Sequence, residues 1–340
     1  MDQNDNEDNF MKVFKYYKSN KPKPSLHNVI SEQDTSHVVK VFTDNVREDA
    51  RTAFLGLQNC QKWNLYTFRN HPGLFLIRNP FTGLGQRYWI RKCLEEYPKK
   101  PNKTNIDLEE IIDDWWSRCY TNGECNHQLL KKLRWSTLGY HHNWDTKLYT
   151  ENNRSSFPED LAELSDIVAS YLGHTGFKAE AAIVNYYHMK STLSAHTDHS
   201  EVNLKAPLFS FSFGQSAIFL LGGQNKSTTP SAILVQSGDI IIMSEEARVC
   251  YHAVPRILPA KSIPWDDNIQ STDELSIKEA TLFKYIKSSK DVISRLNSNS
   301  NEEAWSKYCS YIKESRINMN VRQVLNENQT SLVGAEFIGM

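Results

Sequence analysis

The sequence predicts an α+β fold whose core is a double-sheet roll of short strands. Short β-rich runs follow one another from residue 181 onward, with Gly214, the Gly222-Gly223 pair and the Ser237-Gly238 pair at the corners between them. Many short strands with glycine at the corners favour a double-sheet roll over parallel βαβ units. Upstream of these strands, apolar residues recur at helical spacing, which predicts helices that flank the core.

Composition excludes several classes of protein. Hydrophobic residues make up 39% of the 340 residues and aromatic residues 11%, which excludes a mainly disordered chain. The mean hydropathy is −0.56 and there is no long apolar run, so we expect no spanning helix and no membrane partner. The 39 Lys and Arg residues nearly balance the 40 Asp and Glu residues, which argues against a uniformly basic nucleic-acid binder. A local basic groove is compatible with that average.

The amino terminus and the cysteines bear on the compartment. The first eight residues are acidic and lack an apolar segment, so we do not expect a secreted chain. The six cysteines lack CxxC spacing, which favours a reducing, intracellular compartment over a disulfide framework. The pattern does not choose between nucleus, cytoplasm and mitochondrion.

The composition changes along the chain and predicts four regions. Residues 1–50 are polar and predict an N-terminal arm or loose wrap. Residues 51–180 predict a helix-rich region that supports the core. Residues 181–325 predict the core itself, with a helical insertion at 257–312, and residues 326–340 predict a tail.

The helix-rich region contains one buried strand and three helices by pattern. The third helix begins around Pro158, which suits a first turn, and ends at Gly173; we expect it to be a packing buttress. The predicted elements of this region are a strand at 73–77 and helices at 86–97, 108–120 and 157–172.

The core contains seven β-rich runs, the last of which follows the insertion. These runs are 182–187, 208–213, 217–221, 232–235, 239–244, 249–252 and 317–324. The insertion predicts helices at 278–296 and 302–313, joined by an Asn/Ser linker. We expect an added pair of flanking helices in preference to a binding element.

A His-x-Asp motif is the first candidate metal site. In a strand, side chains two residues apart point to the same side, so His196 and Asp198 can converge on one ion. His252 lies far downstream and completes the two-His, one-carboxylate set of non-haem Fe(II) oxygenases. The same set also binds zinc with an open water position, so a metal hydrolase is the alternative. His199 is a rival ligand that we interpret as a loop histidine.

The last predicted strand decides between these alternatives. Its residues alternate strictly, so three apolar side chains face the core and four polar ones share the other face. The apolar residues are Ile317, Met319 and Val321, and the polar ones are Arg316, Asn318, Asn320 and Arg322. Two guanidinium groups on one sheet face are costly to bury unless an anion pairs with them. A dicarboxylate co-substrate that reaches from the metal to an arginine fits, and Asn185 and Tyr187 can bind the same small acid.

These motifs together, in this order, resemble the AlkB family of Fe(II)/2-oxoglutarate-dependent dioxygenases. They are Asn185-x-Tyr187, His196-x-Asp198, the distal His252 and Arg316-x-Asn318-x-x-x-Arg322. The stretches 133–144, 208–223 and 237–239 resemble the branch called alkylated DNA repair protein homologue 1. The resemblance covers about Val13 to Leu325. It implies a double-stranded β-helix (jelly-roll) core with flanking helices and an N-terminal extension, and it implies Fe(II), 2-oxoglutarate and O2.

The resemblance also implies roles for individual residues. His196, Asp198 and His252 look like the iron ligands. Arg316 resembles the arginine that pairs with the distal carboxylate of 2-oxoglutarate. The remaining co-substrate contacts that it implies are Asn185, Tyr186, Tyr187, Asn318, Asn320 and Arg322, where Asn320 replaces the threonine usual in the family. The substrate-facing residues that it implies are Tyr140, His141, His142, Asn143 and Trp115.

The substrate that the resemblance implies is a methylated base in nucleic acid, removed by oxidative demethylation or hydroxylated. We rank tRNA first, because a stem-loop exposes bases at little cost, and single-stranded or unpaired DNA second. Lysine clusters at 18–23, 99–103 and 131–134 are the candidate contacts for phosphate. The alternatives are a histone or other protein demethylase and an abasic-site DNA lyase. We expect a monomer, and the long separation of His252 and Arg316 predicts altered substrate access.

Overall fold

The structure is a computed structural model that describes residues 7–43, 46–121, 124–267, 269 and 283–333. The helices that it contains are α1 (Asn9–Lys18), α2 (Arg51–Phe54), α3 (Gly83–Glu95), α4 (Trp115–Cys119), α5 (His127–Lys132), α6 (Glu159–Tyr171), α7 (Ser289–Asn297) and α8 (Glu302–Ile312). Within the described residues, none of the helices has the length and apolar character needed to cross a membrane.

The strands divide between two main antiparallel sheets and one short hairpin. They are β1 (Val38–Val41), β2 (Asn64–Phe68), β3 (His71–Arg78), β4 (Lys103–Thr104), β5 (Tyr120–Thr121), β6 (Glu124–Cys125), β7 (Trp135–Gly139), β8 (Ala181–His188), β9 (Leu193–His196), β10 (Leu208–Gly214), β11 (Ser216–Leu221), β12 (Ser231–Val235), β13 (Ile240–Met243), β14 (His252–Leu258) and β15 (Ser315–Arg322). In the described parts of the chain, the large sheet has the order β1-β2-β3-β13-β10-β15-β8-β7-β4 and the small sheet β12-β11-β14-β9. The predicted α+β class, with antiparallel sheets, is confirmed.

The large sheet separates two environments. Ile317 and Met319 of β15 belong to an apolar core that includes residues of α3, α6 and α8. The alternate residues of the same strand line a cavity that residues of the small sheet also line. The register places Arg316 opposite Tyr187 and Asn318 opposite Asn185, so the polar residues of β8 and β15 are cross-strand neighbours on the cavity side.

Gly214 marks the corner where the chain passes from the large sheet to the small one. It ends β10 with a φ of +84°, and a Cβ atom there would lie 2.5 Å from the carbonyl oxygen of Ser315. A side chain would therefore clash with β15 in addition to straining the backbone. This glycine corner is one of those that predicted the double-sheet arrangement.

The N-terminal residues differ from the predicted loose wrap. Helix α1 buries Phe10, Phe14 and Tyr17 in a cluster with Ile218 and Leu220 of the small sheet. Strand β1 extends the edge of the large sheet by pairing with β2. The expectation of a loose wrap is wrong here, because three aromatic side chains at helical spacing cover apolar surface that would otherwise face water.

Three element boundaries also differ from prediction. The helix predicted at 108–120 is wrong over most of its length, since only the short α4 forms there, capped by Asp114. The strand predicted at 249–252 starts at its last residue and runs on as β14, because a 3₁₀ turn occupies Glu245–Val249. Of the helix predicted at 278–296, residues 278–282 lie outside the described residues, and α7 begins only at Ser289.

The insertion packs on the helix side of the large sheet. Trp265, Leu296 and Trp305 belong to the same apolar core as α3. Arg87 of α3 binds the insertion, since its Nε donates to the carbonyl oxygen of Trp265 at 2.7 Å and its Nη1 to Glu302 at 2.7 Å. This placement agrees with the expected flanking helices and puts the described part of the insertion away from the cavity.

Candidate active site

A cavity of about 460 Å³ lies between the two sheets. Strands β8, β10, β13 and β15 of the large sheet contribute one wall and β9, β11, β12 and β14 of the small sheet the other. Of the predicted site residues, those that line it are His196, Asp198, His252, Asn185, Tyr187, Arg316, Asn318, Asn320, Arg322 and His142. Predicted site residues up to 180 positions apart, His142 and Arg322, therefore share one cavity.

His196, Asp198 and His252 form a candidate metal site at one end of the cavity. Strand pairing places His196, at the end of β9, opposite His252, at the start of β14. The candidate ligand atoms of the three residues all lie within 4.8 Å of one another. The Nε2 atom of His252 is 3.6 Å from Oδ2 of Asp198. His199 lies in the loop after β9 and is not part of this group.

Backbone carbonyl groups orient both imidazole rings. Nδ1 of His196 lies 2.9 Å from the carbonyl oxygen of Ser194, and Nδ1 of His252 lies 3.1 Å from that of Cys250. A proton on each Nδ1 leaves Nε2 free to bind a metal, which is the usual outer-shell arrangement of metal-binding histidines. Burial, with a further contribution from His196, lowers the pKa of His252 to about 3, so the ring is neutral as a ligand must be.

Asp198 is held by two buried arginines. Nη2 of Arg322 donates to Oδ1 of Asp198 at 3.0 Å, and Nη1 of Arg248 donates to its backbone carbonyl at 2.7 Å. Burial opposes ionisation of Asp198, but the charge of Arg322 outweighs burial and holds the pKa of this carboxyl well below its usual range. Asp198 therefore offers an ionised Oδ2 toward the histidines.

Glu201 joins the two arginines behind Asp198. Its carboxylate accepts from Nη2 of Arg248 at 2.9 Å and lies 3.2 Å from Nε of Arg322. The hydroxyl of Tyr149 donates to the same carboxylate at 3.2 Å. The Glu201 side chain is 1% exposed, so this ion-pair network is shielded from water and fixes the position of Arg322.

The other end of the cavity has buried donors without partners. Arg316 donates from Nη2 to Oγ of Ser212 at 2.8 Å, but its Nε has no hydrogen-bond partner among the described residues. The hydroxyl of Tyr187, its cross-strand neighbour, also has none. Burial lowers the pKa of Arg316 to about 10, so it stays cationic at neutral pH. A buried guanidinium with an unpaired Nε beside an unpaired tyrosine hydroxyl fits a carboxylate ligand such as 2-oxoglutarate.

Three asparagine side chains lie on the large-sheet wall of the cavity. Nδ2 of Asn318 donates to Oγ of Ser210 at 2.7 Å and to the carbonyl oxygen of Phe211 at 3.2 Å. Asn185 and Asn320 line the cavity on the two strands that flank this contact. These amides add polar groups between the metal site and Arg316.

The prediction that Tyr186 contacts the co-substrate is wrong. It does not line the cavity, because successive residues of β8 point to opposite faces of the sheet. Its hydroxyl donates to the carbonyl oxygen of Cys93 at 2.6 Å, and its ring is 1% exposed in the helix-side core. Tyr186 therefore supports the strand that carries Asn185 and Tyr187.

Most of the predicted substrate-facing residues also lie away from the cavity. Trp115 is 1% exposed in the helix-side core, and Tyr140 and His141 are buried behind the cavity wall. Nδ1 of His141 contacts Oγ1 of Thr137 at 2.8 Å. Asn143 closes a turn by accepting from the backbone N–H of Asp145 at 2.9 Å. The predictions for Trp115, Tyr140 and His141 are wrong as cavity contacts, whereas His142 does line the cavity, and the role of the exposed Asn143 stays a prediction.

An aromatic cluster lies beside the cavity, and one of its members, Trp135, was missed among the predicted site residues. Trp144 lines the cavity, is 47% exposed, and lies 4.7 Å from the His142 ring and 5.2 Å from the Trp135 ring. Trp135 is opposite Asn185 in the sheet, which puts it on the cavity side of β7. The alternation of side chains along the strand that contains Trp135 could have indicated that Trp135 faces the cavity side. Glu201 and Arg248 were missed too, because no local pattern links two residues so far apart.

Comparison with known proteins agrees with this geometry. The family model described as 2OG-Fe(II) oxygenase superfamily matches residues 73–322. The human protein "Nucleic acid dioxygenase ALKBH1" is 37% identical over 95% of this chain and 85% of its own length. The Arabidopsis thaliana protein "DNA N(6)-methyladenine demethylase ALKBH1A" is 30% identical over 76% of this chain and 77% of its own length. The Schizosaccharomyces pombe protein "tRNA demethylase abh1" is 36% identical over 58% of this chain and 72% of its own length.

Members of the matched superfamily use Fe(II), 2-oxoglutarate and O2, and these are the cofactor and co-substrates of this enzyme. The ligand set near Asp198 and the unpaired donors near Arg316 suit the first two of them. The chain belongs to the 2OG-Fe(II) oxygenase superfamily and, within it, to the AlkB-type family that contains the ALKBH1 proteins.

Proposed function

We propose that this protein oxidatively demethylates or hydroxylates methylated bases in nucleic acid, with tRNA as the first candidate substrate and unpaired DNA as the second. His196, Asp198 and His252 hold Fe(II), and Arg316 with Tyr187 binds the distal carboxylate of 2-oxoglutarate. The two sheets form a double-stranded β-helix (jelly roll) around the site.

One observation carries the site assignment. A two-His, one-carboxylate cluster lines one part of a single cavity, and Arg316 and Tyr187, whose Nε and hydroxyl have no partner among the described residues, line another. A zinc hydrolase would need only the first of these features, because its metal-bound water is the nucleophile. The buried Arg316 supports a co-substrate that carries a second anionic group.

The residues of the chain position the reactants. Fe(II), when bound with 2-oxoglutarate and O2, supplies the oxidation of a C–H bond such as that of an N-methyl group. Backbone acceptors keep Nε2 of His196 and of His252 toward the ion, and Arg322 holds the second oxygen of Asp198. Phe219, Val254 and Leu208 give the cavity an apolar lining that limits access of water.

The aromatic cluster supports a nucleobase as the substrate. A base can enter such a cavity only when it is unpaired or flipped from its stack, and aromatic side chains replace the lost stacking. Trp144, backed by Trp135 and His142, offers such a surface at the cavity. The names of the human, Arabidopsis and fission-yeast relatives point to nucleic acid, and one of them to tRNA.

The first test is turnover of 2-oxoglutarate. Asp198→Ala removes the carboxylate of the metal site, and we expect succinate formation to fall to the background measured without Fe(II). Asp291→Ala changes an exposed carboxylate of α7 and serves as the control, with unchanged turnover expected. Normal succinate formation by Asp198→Ala would refute the metal assignment.

The second test is choice of substrate. Methylated tRNA, single-stranded methylated DNA and methylated histone peptides would be compared at equal concentration, with loss of the modified nucleoside or residue measured by mass spectrometry. We expect the fastest loss from tRNA. Turnover confined to the peptides would refute the nucleic-acid assignment and favour a protein demethylase.

A further inference from the structure

Two surface cations beside the active site differ from the neighbouring lysines. Lys131 and Arg134 are exposed, and neither makes an ion pair within the described residues. Three nearby lysines are each neutralised by a carboxylate; these pairs are Lys99 with Asp114 at 2.9 Å, Lys100 with Asp107 at 2.5 Å and Lys132 with Glu109 at 2.8 Å. Among the described residues of the predicted clusters at 99–103 and 131–134, the cations without an ion pair are therefore Lys103, Lys131 and Arg134, and of these Lys103 donates to the side-chain amide of Asn153.

Lys131 also lines a second pocket of about 490 Å³, on the helix side of the large sheet. Tyr120, His188, Lys307 and Tyr311 are among the other residues that line this pocket. Nε2 of His188 and the hydroxyl of Tyr311 are buried, and neither has a hydrogen-bond partner in the described parts of the chain. Buried polar groups are normally paired, so two unpaired ones in one pocket indicate a ligand with polar groups.

The second pocket and the active-site cavity lie on opposite faces of the large sheet, and both border the same junction, the end of β8. Tyr187 lines the cavity, and the next residue, His188, lines the second pocket, because successive side chains of a strand point to opposite faces. Arg134 lies at this junction, since its carbonyl accepts from the N–H of Tyr186 at 2.9 Å. Burial has the largest influence on the pKa of both side chains, raising that of Tyr187 and lowering that of His188, and the charge of Arg134 lowers both.

We propose that Lys131, Arg134 and the second pocket bind a nucleotide of the substrate strand that flanks the base undergoing oxidation. The phosphate lies on Lys131 and Arg134, and the ribose or base enters the pocket, where His188 and Tyr311 supply hydrogen bonds and Tyr120 an aromatic face. This inference rests on the proposed function and adds to it a path for the strand around the end of β8.

The test uses neighbouring lysines of one helix. Lys131→Ala removes an unpaired charge, whereas Lys132→Ala removes one already bound to Glu109. Fluorescence anisotropy with a tRNA stem-loop at several salt concentrations would give Kd for each variant of the full chain. We expect Lys131→Ala and Arg134→Ala each to weaken binding roughly fivefold to tenfold and to reduce the salt slope by about one, with Lys132→Ala close to wild type.

The pocket itself is tested by Tyr311→Phe, which keeps the ring and removes the unpaired hydroxyl. We expect weaker binding of the stem-loop with unchanged succinate formation in the absence of nucleic acid. Equal Kd values for Lys131→Ala and Lys132→Ala, in a protein that does demethylate tRNA, would overturn this surface and leave the proposed function standing. A wild-type protein that neither binds nor modifies nucleic acid would overturn both.

Discussion

Strands β8 and β15 have two faces that differ in how their polar atoms are satisfied. On the helix side, Tyr186 donates to a backbone carbonyl, and Ile317 and Met319 are 0% exposed among other apolar side chains. On the cavity side, the hydroxyl of Tyr187 and Nε of Arg316 are just as buried but have no partner among the described residues. The helix side has the composition of a stabilising core. The cavity side contains buried polar groups without partners, which reduce the stability of the protein without ligand and can bind a ligand.

The largest effect on stability is expected on the helix side. Tyr186→Ala leaves a void in the core and removes the hydrogen bond to Cys93, so we expect the free energy of unfolding to fall by about 3–5 kcal/mol. Urea denaturation would measure it. Tyr186→Phe, which keeps the ring, should cost only about 1 kcal/mol. A Tyr186→Ala protein as stable as wild type would contradict the assignment of this face to the core.

The next effect is on metal binding and is expected from Glu201, which contacts none of the three residues of the metal site. Glu201→Gln weakens its contacts with Arg248 and Arg322, so Asp198 is held less firmly, and we expect Fe(II) affinity to fall by about 10–100-fold. Calorimetric titration with the metal under anaerobic conditions would measure it. Glu246→Gln, at an exposed carboxylate, is the control. Unchanged affinity in Glu201→Gln would show that the arginines position Asp198 without it.

A smaller effect of opposite sign on stability is expected for Tyr187. Tyr187→Phe removes a buried hydroxyl that has no partner, so the protein without ligand should be as stable as wild type or more stable by up to about 1 kcal/mol. The same change should weaken 2-oxoglutarate binding about fivefold, the value of one hydrogen bond. Destabilisation equal to that of Tyr186→Phe would remove the difference between the two faces.

The smallest expected effect is a pH dependence of stability caused by His141, which lies behind the cavity wall. Burial lowers the pKa of His141 to about 4 from an ordinary value near 6.5. As pH falls from about 6.5 to 4, the unfolded chain takes up a proton that the folded protein does not, so stability decreases over this range. We expect the loss between pH 7 and pH 5, measured by urea midpoints, to be smaller in His141→Gln. His27→Gln, at an exposed histidine, should behave as wild type.

Strand periodicity predicted the cavity side better than the region around it. The alternation of β15 correctly separated Arg316 and Asn318 from Ile317 and Met319, because a period of two fixes the face of every residue. The same rule applied to β8 excludes Tyr186, which the family resemblance had included. Trp115 was misassigned because an aromatic residue on a short helix suits a core as well as a binding surface.

The remaining differences come from contacts between distant parts of the chain. The polar composition of the first fifty residues concealed Phe10, Phe14 and Tyr17, whose burial depends on an apolar surface of β11 and β14. Glu201 and Arg248 meet only because the loop after β9 packs on the segment before β14. Such pairs have no signature in local spacing, so one sequence does not reveal them.

The central claim is that the unpaired groups on the cavity side bind 2-oxoglutarate. Its most direct test is anaerobic calorimetric titration of the Fe(II)-loaded protein with 2-oxoglutarate, comparing wild type, Arg316→Ala and Arg118→Ala, an exposed arginine on α4. We predict that wild type and Arg118→Ala bind alike and that Arg316→Ala binds at least tenfold more weakly, as expected for a lost charged hydrogen bond. Wild-type affinity in Arg316→Ala would contradict the account.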